Sequence, residues 1–75
     1  MHIHMSIILV LSSVTYALKS QELLKKNNIY ASLTRSPAVK AVKGCGYGLL
    51  IPASQEMRAI QILQNAGVNI IGIIS

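Results

Sequence analysis

Residues Ile7 to Leu11 read Ile-Ile-Leu-Val-Leu, an aliphatic run with no polar member. A strand sends successive side chains to opposite faces, so such a run must be covered on at least one face and belongs at the centre of a sheet. In a chain of 75 residues that demand is severe. A chain this short buries only about 60% of the surface its unfolded form exposes, which leaves room for two layers around one core. The run stops at Ser12-Ser13, either of which can cap a helix.

The rest of the chain supplies the cover. After the serines, Val14, Ala17, Leu18, Gln21 and Leu24 share one helical stripe, opposite Glu22 and Lys25-Lys26, and Asn27-Asn28 closes the segment. Ile29 to Thr34 alternates as a second strand. Arg35 to Lys43 is long for a hairpin connection, and Ser36-Pro37 reads as an N-cap with proline at the first helical position, predicting one turn of helix through Val42. Tyr47 to Pro52 is a third strand. Ser54 is placed to cap a helix with Met57, Ala59, Ile60 and Leu63 inward, ending at Asn65-Ala66-Gly67. Val68 to Ile74 is the last strand. The order β-α-β-β-α-β predicts an α+β, ferredoxin-like two-layer sandwich, a four-stranded antiparallel sheet with two helices on one face. Residues 1–5 read as a leader and 6–75 as one domain. The two halves echo one another, since Ser20 to Leu33 and Ala59 to Ile73 each run helix, short turn, strand.

Composition narrows the class of function. The chain is 52% hydrophobic and 12% charged, too apolar for a disordered segment. So few charges predict that some apolar surface is covered by a partner or a second copy, and a homodimer is expected. The net charge is +5, and Lys25, Lys26, Arg35, Lys40 and Lys43 supply most of the basic residues, a concentration suited to an anionic partner. Nucleic acid is disfavoured, because the chain has no Phe or Trp on which bases would stack. A single cysteine makes no internal disulfide, so the chain reads as cytoplasmic. No run approaches the roughly 18 apolar residues of a membrane span, and no Lys or Arg precedes the first apolar run as in a signal peptide.

The sole cysteine lies in Lys43-Gly44-Cys45-Gly46-Tyr47-Gly48. In the predicted topology the loop between the second and third strands shares one end of the sheet with Ser12-Ser13 and the start of the first helix. Cys45 is then expected near the free N–H groups of Val14 to Tyr16 and the hydroxyls of Ser12, Ser13 and Thr15. A helix N-terminus and the cations Arg35, Lys40 and Lys43 favour the thiolate, the reactive form of the side chain. Gly44 and Gly46 remove flanking side chains that would shield it. The competing reading is structural: lone cysteines are often buried as small hydrophobes, and glycines mark bulges or close packing. On that reading the protein is a non-catalytic interaction or oligomerisation module.

Other chemistry is poorly provided for. His2 and His4 precede the first strand, roughly 20 Å of strand away from Cys45, so no metal site is expected. Glu22 and Glu56 are the only acids, which leaves no carboxylate pair, and no histidine is placed as a base for Cys45. The glycine cluster lacks the spacing of a phosphate loop and leads into a strand. No cofactor is expected, and these residues do not provide the acid–base chemistry of an enzyme.

Taken together, Ser12-Ser13, Ala17 with Leu23-Leu24, Pro37 and Cys45-Gly46, in that order and followed by a helix and Ala66-Gly67-Val68-Asn69-Ile70-Ile71-Gly72-Ile73, resemble the selenium/sulfur carrier protein-like family, a small bacterial domain. The resemblance extends from Ile7 to Ile74. It implies that Cys45 holds sulfur or selenium as a persulfide or selenopersulfide. It further implies receipt from a cysteine desulfurase-like donor, with selenium-utilisation or molybdoenzyme maturation proteins as partners.

Overall fold

The computed structural model describes residues 5–42 and 46–74. Strand β1 (Ser6–Leu11) leads to helix α1 (Val14–Lys26), strand β2 (Ser32–Thr34) and a short helix α2 (Pro37–Val42). Strand β3 (Tyr47–Pro52), a 3-10 turn (Ala53–Gln55), helix α3 (Glu56–Asn65) and strand β4 (Ile70–Ile74) follow. The sheet order is β2-β3-β1-β4, and every neighbouring pair is antiparallel. This is the strand arrangement of the ferredoxin-like α+β sandwich, with one helix added between β2 and β3. The aliphatic run sits at the centre, with a strand on either side.

Ile7, Leu9 and Leu11 pack with Leu49 and Ile51 of β3, Ala17 and Leu24 of α1, and Ala59 and Leu63 of α3 in one buried cluster. The intervening Val10 is also fully buried, but on the reverse face. Its cover comes from α2, whose Val39 is likewise sealed from solvent. The register explains how so short a helix finds a seat. Thr34 pairs with Gly48, Gly48 with Val10, and Val10 with Gly72, so one row across all four strands carries two glycines. The row forms a trough. A Cβ on Gly48 would stand 2.5 Å from Cγ2 of Ile8 and 2.7 Å from Cγ2 of Val39, and one on Gly72 would stand 3.0 Å from Cγ1 of Val42. Ser36 caps α2 as its sequence predicts, its Oγ accepting from the Val39 N–H at 3.5 Å.

Two helix ends repeat one device. After α1, Asn28 takes a left-handed φ of 62° while its N–H reaches the Lys25 carbonyl and the Ile29 N–H reaches that of Leu24. After α3, Gly67 takes a φ of 79°, and Gly67 and Val68 reach the carbonyls of Gln64 and Leu63. Both are Schellman turns with an apolar pair folded beneath, Leu24 with Ile29 and Leu63 with Val68. The echo between the halves is thus a repeated way of turning a helix back into the sheet.

Several helix faces differ from the spacing pattern. The buried line of α1 runs through Ala17, Ser20 and Leu24, while Val14 and Leu18 are 40% and 49% exposed. Small side chains at 17 and 20 let the helix lie close to its neighbours, and Leu18 falls to the flank. In α3 the buried line is Ala59 and Leu63, and Met57, expected inward, is 84% exposed. A residue two positions from Ala59 lies about 200° around the helix. Ser54 does not cap α3; it lies in the 3-10 turn, and no side chain makes the capping bond. β2 is confined to Ser32–Thr34 and β4 to Ile70–Ile74, because Ile29, Ala31 and Val68 enter the core directly from the turns. Among the described residues no helix is long and apolar enough to cross a membrane.

Candidate functional site

β1 and β2 run in the same direction, so both deliver their last residues to one end of the sheet. The β1/β3 register ends with Leu11 opposite Tyr47, which makes Ser12 and Gly46 the next residues along their strands. Ser13 is extended (φ −151°, ψ 162°), and its side chain accepts from the Tyr16 N–H at 3.4 Å, opening α1. No acidic residue lies in the first turn of α1, so the partial positive charge of that helix end is not offset by a carboxylate of its own turn. Ser12 and Ser13 are half-buried and Thr15 is exposed. Three of the expected site residues are thereby brought together at the start of α1.

Gly46 is buried. It marks where the chain re-enters the packed sheet, a different role from the open flank that its sequence setting suggests. Lys43, Gly44 and Cys45 lie outside the described residues. The described chain on either side is held, by α2 in its glycine trough up to Val42 and by β3 from Tyr47 onward.

Arg35 follows β2 directly, and its guanidinium carbon sits 4.8 Å from the centroid of the Tyr47 ring. Such a cation over an aromatic face is worth about 0.5–1 kcal/mol at an exposed site. Continuing the pairing of Ser32 with Leu50, Leu33 with Leu49 and Thr34 with Gly48 brings Arg35 opposite Tyr47. The tyrosine was overlooked in the sequence, where it read as one more strand residue. The strand register is the signal that would have found it.

The basic residues are divided in space. Lys25 and Lys26 occupy the last turn of α1, about 20 Å along a helix of this length from its N-terminus. Arg35 and Lys40 belong instead to the β2 and α2 side of the molecule, so the run of basic residues in the sequence is two separate groups. His2 and His4 lie outside the described residues. Among the described residues no group of three His, Cys, Asp or Glu is placed to hold a metal ion.

What this end of the sheet offers chemically is a helix N-terminus with a serine cap, further hydroxyls at Ser12 and Thr15, and a cation at Arg35. Among the described residues, that inventory suits an anion and provides neither an acid–base pair nor a metal ligand set. Searches of curated proteins and of solved structures return no match to this chain. Comparison with family models does: residues 6–75 match the model described as "Putative Se/S carrier protein-like", and the chain belongs to that family.

Proposed function

We infer that this protein carries a sulfur or selenium atom on Cys45, receiving it from a cysteine desulfurase-like donor and handing it to an acceptor protein. The observation that carries this reading is the match to the carrier family over residues 6–75. The capped start of α1, at the end of the sheet where Leu11 pairs with Tyr47, two residues after Cys45 in the sequence, supports it. In the receiving step the Cys45 thiolate attacks the terminal sulfur of a donor persulfide. A new S–S bond forms on Cys45, the donor's S–S bond breaks, and the donor cysteine leaves as its thiolate. The sulfane sulfur changes carrier without net oxidation or reduction. Selenium transfers in the same way, as a selenopersulfide.

In this reading Lys43, the α1 N-terminus and the hydroxyls of Ser12, Ser13 and Thr15 stabilise the thiolate and then the terminal chalcogenide. Gly44 keeps the approach to the sulfur clear, and buried Gly46 lets the chain turn into β3. No general base is required once the thiol is ionised. Selenium-utilisation or molybdoenzyme maturation proteins are the proposed acceptors, and the protein acts as an accessory carrier.

Mass spectrometry after incubation with a cysteine desulfurase and cysteine tests the reading. An adduct of about 32 Da, the mass of one persulfide sulfur, is expected on the wild-type chain and absent from Cys45→Ser. Its absence from the wild type would refute sulfur transfer, and a parallel reaction with selenocysteine separates the two elements. Alkylation of Cys45 by iodoacetamide is expected to rise to its plateau below the pH of about 8.5 at which a free thiol ionises. A profile centred at or above that value would remove the proposed stabilisation.

A further inference from the structure

β4 is an edge strand of the described sheet, and its own residues carry none of the charges or prolines that usually guard such an edge. Edge strands offer a row of unpaired N–H and C=O groups, which proteins commonly guard with charges, prolines or very short strands. From Asn65 to Ile74 there is no Lys, Arg, Asp, Glu or Pro. The opposite edge, β2, has three residues and is followed at once by Arg35 and Pro37. A register irregularity between Val10 and Leu11 leaves Ile71 without a β1 partner. The irregularity is confined to the first half of β4 and places no charge or proline there, and Gly72, Ile73 and Ile74 keep regular pairing with β1.

The sequence of β4 names the partner that fits. Ile70-Ile71-Gly72-Ile73-Ile74 reads the same in both directions about Gly72. A two-fold contact must be complementary to itself, and an antiparallel pair centred on Gly72 sets Ile71 against Ile73 of the other copy and Ile70 against Ile74. Facing β-branched side chains are among the favourable cross-strand pairs. Ile73 is 47% exposed and Val42, whose Cγ1 lies over Gly72, is 46% exposed. Paired strands lie about 4.8 Å apart, so the two Gly72 residues meet at the axis and Val42 of each copy closes over them. No cation falls on the strand to oppose its own image, which matters in a chain of net charge +5.

We propose that β4 is a self-pairing edge, joining two copies of this chain about Gly72 into one eight-stranded antiparallel sheet. Analytical ultracentrifugation of the intact chain is expected to give twice the 8.1 kDa of one copy. Ile73→Lys is expected to give single copies with an unchanged circular dichroism spectrum. Leu33→Lys, the matching change on the β2 edge, is expected to leave the dimer intact. For register, and should Ile73→Lys fail to fold, Ile71→Cys and Ile73→Cys chains are mixed in a Cys45→Ser background and oxidised. Mixed disulfides are expected to exceed either homodimeric product, since facing residues lie within the 4.4–6.8 Å Cα separation a disulfide needs. A wild-type monomer, dissociation by Leu33→Lys with Ile73→Lys still dimeric, or a majority of homodimeric disulfides would each overturn the proposal.

Discussion

Ser20 is fully buried on α1, and its hydroxyl has no hydrogen-bond partner among the described residues. A buried polar group left unpaired costs on the order of 1–3 kcal/mol, and serine is also a poorer helix former than alanine. The repeated turn supplies a second argument. Leu24, Asn28 and Ile29 correspond to Leu63, Gly67 and Val68, each pair 39 positions apart (63 − 24, 67 − 28, 68 − 29). The same offset takes Ser20 to Ala59, which is also fully buried. The second half therefore already carries the residue this position favours. Ser20→Ala is expected to stabilise the fold by roughly 1 kcal/mol, read as a higher urea midpoint at unchanged slope. A lower midpoint would show that the hydroxyl contributes a bond. In the sequence Ser20 broke the apolar stripe and Leu18 continued it, so periodicity alone placed the contact line on the wrong side. The Arg35–Tyr47 stack was hidden for a related reason: it depends on the register between two strands, which no local pattern carries.

Among the elements, α2 stands apart because its anchor is an absence. The start of the helix was legible in Ser36-Pro37, and its end at Val42 matches that reading. Its seat was not legible, because a glycine in a strand signals a bulge or close packing without saying which side chain fills the space, here Val39. Gly48→Ala is expected to destabilise the protein by about 1–3 kcal/mol, the usual cost of overpacking. Faster amide exchange in Pro37–Val42 than in α1 and α3 would place the damage at α2. Adding Val39→Ala, which removes the methyl nearest the new Cβ, is expected to recover part of the loss. If the two changes are simply additive, Val39 and Gly48 do not share the contact the structure shows. The consequence reaches the candidate site, since α2 ends at Val42, directly before Lys43 in the sequence. Cys45 itself stood out in sequence through its flanking glycines and lysine, and the observed topology puts Ser12, Ser13 and the start of α1 at the end of the sheet where β3 begins.

At the scale of the whole molecule, the order of elements was readable because each apolar run changed period where serine, asparagine, proline or glycine fell. What remained hidden was the reverse face, since a two-layer sandwich has no need of a helix there. If β4 pairs with a second copy, unfolding is linked to association, and the midpoint of thermal unfolding is expected to rise with protein concentration. A midpoint constant over a hundredfold range of concentration would count against such pairing. The strand order has a further consequence in time. β1 leaves the ribosome ahead of the other described strands, yet both of its neighbours, β3 and β4, come from the later part of the chain. Its ladder cannot be completed until Ile74 has been made, so the most aliphatic strand waits longest for its partners. Contacts that span so much of the chain fold slowly and leave apolar segments open to misassociation meanwhile, and the prompt capping of α1 by Ser13 gives β1 its earliest shelter.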